Sequence, residues 1–126
     1  MSVTRASVTR AHFPAHFRLR SADDFQRVFK TTRFKSGDRY LLILAIPNSL
    51  DYPRLGMAIS IKNSGNAVNR NRLKRIVRET FRVNRESLEA NDYVVLTRSG
   101  ISALDNPSIA KALLTHWQTI NKKCEN

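Results

Sequence analysis

The sequence predicts an α+β fold: a small, about four-stranded sheet packed with three helices, in the order αβββαβα. Two observations carry that expectation. Helix-start signals precede amphipathic segments near Ser21, Ala67 and Asn106. Between them lie short runs rich in branched and aromatic residues, at Arg39 to Ile46, Arg54 to Ile61 and Asp92 to Arg98, bounded by turn residues. A chain of 126 residues with 41% hydrophobic content suits one domain with a real but small core. The division expected is a basic arm over 1–17, a single domain over 18–123 and a tail over 124–126.

Residues 1–20 carry Arg5, Arg10, Arg18 and Arg20, no acid and no clear periodicity, so they read as an arm, ordered at most near Phe13 and Phe17. Ser21 can cap the first helix, with Asp24 as a short capping-box partner; Asp23 and Asp24 favour the positive end of its dipole. Phe25, Val28 and Phe29 then fall on one face. The helix fades by Arg33, and a short strand is expected near Arg33 to Lys35. Arg39 to Ile46 is almost continuously apolar, which predicts burial on much of both faces. The strand from Arg54 to Ile61 is expected to bend at Gly56. Helix two runs from about Ala67 to Leu88. In the last helix Asn106 can cap and Pro107 suits the first helical position, and Ile109, Leu113, Trp117 and Ile120 form an apolar stripe.

The charge is strongly one-sided. There are 22 Lys and Arg against 10 Asp and Glu, a formal net charge of +12. Such an excess repels itself in a compact fold and seeks a polyanion; arginine in particular suits bidentate phosphate contacts. Helix two concentrates this charge. At about 100° per residue, Leu73, Ile76, Val77, Thr80, Phe81 and Leu88 share one sector, joined by Asn84. Asn71, Lys74, Arg75, Arg78, Arg82 and Arg85 fall opposite, and Arg70 and Arg72 flank the two groups. A solvated helix usually alternates charge sign to gain i,i+4 pairs. A nearly all-cationic face fits phosphate binding instead, with Asn71 as a neutral donor and acceptor for sugar or base. A structured RNA fits better than duplex DNA, because the element before Ala67 reads as a strand and not as the first helix of a helix-turn-helix.

Other chemistries find little support. Cys124 is the single cysteine, which excludes an internal disulfide. His12 and His16 have i,i+4 spacing, but Pro14 between them opposes a helical metal clip. His116 beside Trp117 suits a structural or rim role. The acids have capping, turn or helix-surface explanations and form no recognised two-metal cluster. No apolar run is long enough to span a bilayer and no secretory signal follows the N-terminus, so a reduced, cytoplasmic protein is expected.

The run from Gly65 to Glu79, with Arg70-Asn71-Arg72 at its centre, strongly resembles the RNR motif of the bacterial ribonuclease P protein component. Asp24 to Phe29 resembles that family's first-helix signature, and Arg54-Leu55-Gly56-Met57 and Asp92-Tyr93-Val94-Val95 resemble its later strand starts. The resemblance implies a ribonucleoprotein endonuclease that removes the 5′ leader of precursor tRNA. The catalytic RNA with bound Mg2+ performs the hydrolysis, and no metal is held by the protein alone. It implies that Arg70, Asn71, Arg72, Lys74, Arg75 and Arg78, with Lys62, contact the catalytic RNA. It maps the leader cleft to Phe25, Phe29 and Tyr40, and assigns no catalytic residue to the polypeptide. Core packing is the alternative for both phenylalanines, and a solvated charge for Lys62. It also implies a left-handed βαβ crossover around helix two, where general packing rules favour the right-handed form in about 98% of cases. One departure stands out: the family often has two adjacent lysines before the loop, and here Ile61 precedes Lys62, leaving Ile61 free to pack inward. A non-catalytic RNA-binding protein of another particle, such as a ribosomal protein, is the alternative reading.

Overall fold

The computed structural model describes residues 17–125. Most of the expected arm, with His12, Phe13 and His16, lies outside the described residues. Phe17 is buried in the main core, and the backbone N–H of Leu19 donates to the Leu55 carbonyl at 2.8 Å.

Helix α1 spans Ala22–Thr31, and the Ser21 hydroxyl caps it by accepting from the Asp24 amide. Strands β1 (Phe34–Gly37), β2 (Leu41–Pro47) and β3 (Arg54–Ala58) follow. After them come α2 (Ile61–Ser64), α3 (Ala67–Asn84), β4 (Asn91–Thr97) and α4 (Asn106–Cys124). The sheet order is β1-β2-β4-β3. β1 and β4 each run antiparallel to β2, while β3 runs parallel to β4. The parallel pair encloses α2 and α3, so the βαβ unit expected around the basic helix is present.

Four details differ from the sequence expectation. The third strand stops at Ala58, and α2 adds a short fourth helix, because Ser60 caps a turn by accepting from the Asn63 amide. Ile61 does not pack inward: it opens that turn and is 53% exposed. The basic helix ends at Asn84 and passes into a 3-10 turn over Arg85–Ser87. Arg85 therefore leaves the cationic face; it is 3% exposed, with its guanidinium 4.2 Å from the Phe17 ring centre. Finally, Asp105 rather than Asn106 caps α4, accepting from the Ser108 amide at 2.9 Å; Asp105 is the extended residue before the helix while Asn106 is already its first residue, and Pro107 sits in the first turn.

The two sheet faces are unequal. Leu41, Ile43 and Ala45 point into the main core beneath α3 and α4 and are fully buried. There Phe81, Tyr93 and Trp117 form an aromatic triangle from three elements, with ring centres 5.6 to 6.2 Å apart and edge-to-face geometry. The other face carries α1, with Val28, Leu19 and Val94 in a smaller cluster. Asp92, fully buried at the start of β4, fastens α1 to this face. It accepts from Arg27, from Arg54 Nε (2.8 Å) and Nη2 (2.7 Å), and from Asn48 Nδ2 (3.0 Å). These bonds are the chief reason the Arg54 guanidinium is held even more firmly in its charged form than usual.

At the β1–β2 turn, Asp38 Oδ1 accepts from the Tyr40 and Leu41 amides and Oδ2 meets His116 Nε2 at 2.8 Å. The other ring nitrogen of His116 bonds Ser36 Oγ at 2.6 Å, so this histidine ties α4 to β1. Desolvation pushes the Asp38 carboxyl up, but the two amides and His116 together outweigh it and leave it below its ordinary value.

Phe81→Ala should cost about 3–5 kcal/mol in urea denaturation, because the vacated volume is enclosed by two other rings. Asp38 has a depressed folded-state value, so its contribution is present above the unfolded value and is lost as pH falls through the folded one. Asp38→Asn should therefore lower the melting temperature near about pH 6, with the gap to the parent protein narrowing by about pH 3.

Candidate RNA-binding surface

Helix α3 is fixed from below. The Asn66 side chain caps it by accepting from the Asn69 amide, and Leu73, Val77 and Phe81 are buried against the core. Ile76 and Thr80 are half-buried at the margin. Every position of this stripe puts its opposite face in solvent, which is where Asn71 and Arg75 lie.

The remaining predicted cations separate by role. Arg70 Nε donates to the Ile59 carbonyl at 2.6 Å, which binds the head of α3 to the end of β3. Arg72 reaches the other flank and donates to Asn106 Oδ1 and, at 3.5 Å, to the carbonyls of Ser102 and Leu104. Arg82 pairs with Glu79 one turn away. Lys62 is exposed on α2. No acidic group pairs with Arg70, Lys74, Arg75 or Arg78 among the described residues. The crowding shows in their proton affinities. Lys74 lies below its ordinary value through burial and then the charges of Arg70 and Arg78. Arg78 is lowered by burial, then by Arg18 and Arg75. A polyanion laid here would offset the like-charge repulsion in both.

Lys74 and Arg78 also reach the α1 side of the molecule. With Arg18, Phe25, Leu55, Gly56 and Met57 they line a pocket beside β3. Gly56 is required there: a Cβ at this position would come within 2.7 Å of Phe25 Cζ. The glycine thus serves the close approach of an aromatic ring.

One turn beyond Phe25, Phe29 is 43% exposed. Nearby, Leu42, Leu44, Ile46, Ala58 and Leu96 are half-buried on the same face of the sheet. A helix about 10 Å wide covers less than half of strands roughly 23 Å long, so α1 leaves an apolar floor in the open. Sequence reasoning missed this floor because the continuous apolar run of β2 reads as buried on both sides. The alternate positions are the signal: Leu41, Ile43 and Ala45 are fully buried, while Leu42, Leu44 and Ile46 between them are only half-buried.

The structure brings Phe25 together with the cations of α3 and leaves Phe29 exposed one turn further along α1. Tyr40 is placed apart from them. It precedes β2, packs against the main core, lies close to Gly100 and has the Arg39 guanidinium 5.5 Å from its ring centre.

The family model described as Ribonuclease P matches residues 13–121. The ribonuclease P protein component of Chromohalobacter salexigens is 47% identical over 110 residues, covering 87% of this chain and 86% of that one. Its counterpart from Pseudomonas aeruginosa is 43% identical over 103 residues, covering 82% and 76%. Among solved structures, the RNase P protein of Staphylococcus aureus superposes with a TM-score of 0.76 at 31% identity, covering 81% of this chain and 93% of that one. That of Thermotoga maritima gives 0.71 at 37% identity, covering 78% and 94%. The family model and the curated relatives match over most of the chain, and the fold is shared with solved members: the chain belongs to the ribonuclease P protein family, the protein component of the enzyme that matures tRNA 5′ ends.

Proposed function

We propose that this chain is a cytoplasmic RNA-binding subunit of ribonuclease P that grips the catalytic RNA with α3 and the 5′ leader of precursor tRNA across the α1 face. The observation that carries the reading is the pairing, on one helix, of a docked underside with a cationic face whose Lys74, Arg75 and Arg78 have no acidic partner among the described residues. Such a helix can neutralise phosphates without leaving its core. Arg75 and Asn71 are the freest contacts, with Lys74 and Arg78 behind them. Arg70, Arg72 and Lys62 contribute charge from the flanks, the first two while also bonding protein carbonyls.

A leader varies in sequence, so its reader needs stacking and charge more than a hydrogen-bond code. Phe29 offers an open ring above the apolar floor. Phe25, one turn before Phe29, shares a pocket with Lys74 and Arg78 of α3, and Tyr40 stands just before β2. The polypeptide positions the substrate, and hydrolysis belongs to the RNA subunit.

The acids of the described residues support that division of labour. Asp92 serves two arginines, Asp38 serves His116 and two amides, and Asp105 caps α4. No group of three or more His, Cys, Asp or Glu could hold a metal ion among the described residues. In this reading Mg2+ is held by the catalytic RNA and substrate, where it would supply an activated water and charge stabilisation. The alternative of a ribosomal protein is disfavoured by Phe25 standing beside the cations of α3, with the exposed Phe29 one turn further along α1.

Precursor cleavage at low magnesium should need the catalytic RNA and be stimulated by the protein; cleavage by the protein alone would overturn the reading. Arg75→Ala with Arg78→Ala should weaken binding to the catalytic RNA and reduce the salt dependence by about two phosphate contacts. Phe29→Ala should weaken long-leader precursors relative to mature tRNA by about 1–3 kcal/mol, with a nearly unchanged melting temperature.

A further inference from the structure

A second basic groove lies at the opposite edge of the sheet from the α3 pocket. It has a volume of about 560 Å³ and is lined by Lys35, Ser36, Gly37, Asp38, Arg39, Leu42, Arg98 and Lys123. That volume falls within the range of about 300–1,000 Å³ typical of ligand sites. Four cations surround it and one acid. The carboxylate of that acid is already committed to His116 and to the Tyr40 and Leu41 amides.

Three of the four cations, Arg39, Arg98 and Lys123, are held by the fold. Arg98 Nη1 donates to the Asp38 carbonyl at 2.7 Å, and Lys123 Nζ donates to the Lys35 carbonyl at 2.5 Å. The Arg39 guanidinium lies over the Tyr40 ring. Behind them the His116 bridge between Ser36 and Asp38 fixes the turn from which Arg39 springs. These tethers lower the cost of ordering long side chains around an anion.

The groove opens toward the α1 face. Lys35 pairs with Leu44 and Gly37 with Leu42 across β1 and β2, and residues directly paired share a face. Leu44 belongs to the apolar cluster beneath α1. The apolar floor near Phe29 therefore runs to the β1 edge and ends among these cations. Gly37 leaves the passage open, with Leu42 Cδ1 3.0 Å from where a Cβ would stand.

We propose that this groove binds backbone phosphates of the precursor leader, at nucleotides further 5′ than those stacked near Phe29. The inference rests on the leader reading above. It adds a second anchor at the β1 edge, three strand spacings or roughly 15 Å from the Phe25 pocket. A strand entering beside α3 would cross the apolar floor and leave over Lys35 and Arg39. The α3 face lies on the far side of this path, so the catalytic RNA does not compete for the groove.

The test compares precursors with a long leader and with a leader trimmed to its last few nucleotides, each bound to the complete particle. Lys35→Gln with Arg39→Gln should weaken the long-leader precursor about tenfold and lower its salt slope by about two. The trimmed precursor and the catalytic RNA alone should bind as before. The charge-conserving pair Lys35→Arg with Arg39→Lys should keep the long-leader affinity. Equal loss on both precursors, loss toward the catalytic RNA, or no loss at all would each overturn the groove assignment. If the unaltered protein fails to distinguish leader lengths, the leader reading itself falls. If it does distinguish them and the Gln pair does so equally well, the groove proposal alone falls.

Discussion

The structure depends on how α3 is seated. Leu73, Val77 and Phe81 drive one side of this helix into the sheet and α4, where the rings of Phe81, Tyr93 and Trp117 meet edge to face. Burying each such side chain is worth about 1.5–3 kcal/mol, while repulsion between half-exposed cations is screened by solvent and salt. The apolar seat therefore tolerates a crowd of like charges that an isolated helix would not. Arg70 and Arg72 strengthen the seat by bonding carbonyls at either flank. Charge that self-repels in the free protein becomes available for a polyanion.

The second face is shaped by insufficiency. Helix α1 has ten residues and lies against strands of up to seven. It buries Val28 and leaves the even-numbered side of β2 partly open. Asp92 keeps this short helix in place from within the sheet by gathering Arg27, Arg54 and Asn48. Because both arginines reach solvent, the carboxylate acts more as a fixed junction than as a large source of stability. Its position leaves Phe29 outside the core.

The two faces communicate at one strand. Gly56 in β3 lets Phe25 approach closely enough to share a pocket with Lys74 and Arg78. An aromatic ring for stacking and cations for phosphate thus stand side by side, though they come from helices on opposite faces of the sheet. A substitution at Gly56 would displace Phe25 or Leu19 and disturb both surfaces together.

The pattern of apolar and basic residues was enough to place the three main helices, the strands around them and the cationic ridge at Asn71, Lys74, Arg75 and Arg78. These follow from local periodicity and capping, which act over a few residues and leave a mark in the chain itself. Arg85 shows the limit: its helical phase puts it on the ridge, but a change to a 3-10 turn carries it inward against Phe17. Ile61 shows the converse, an apolar residue left in solvent because a serine cap ends the strand before it. The open floor, the Phe25 pocket and the β1-edge groove joined residues as distant as Lys35 and Lys123. Tertiary packing alone decided them, because strand pairing and helix length set which apolar faces go uncovered, and neither is encoded at the positions concerned.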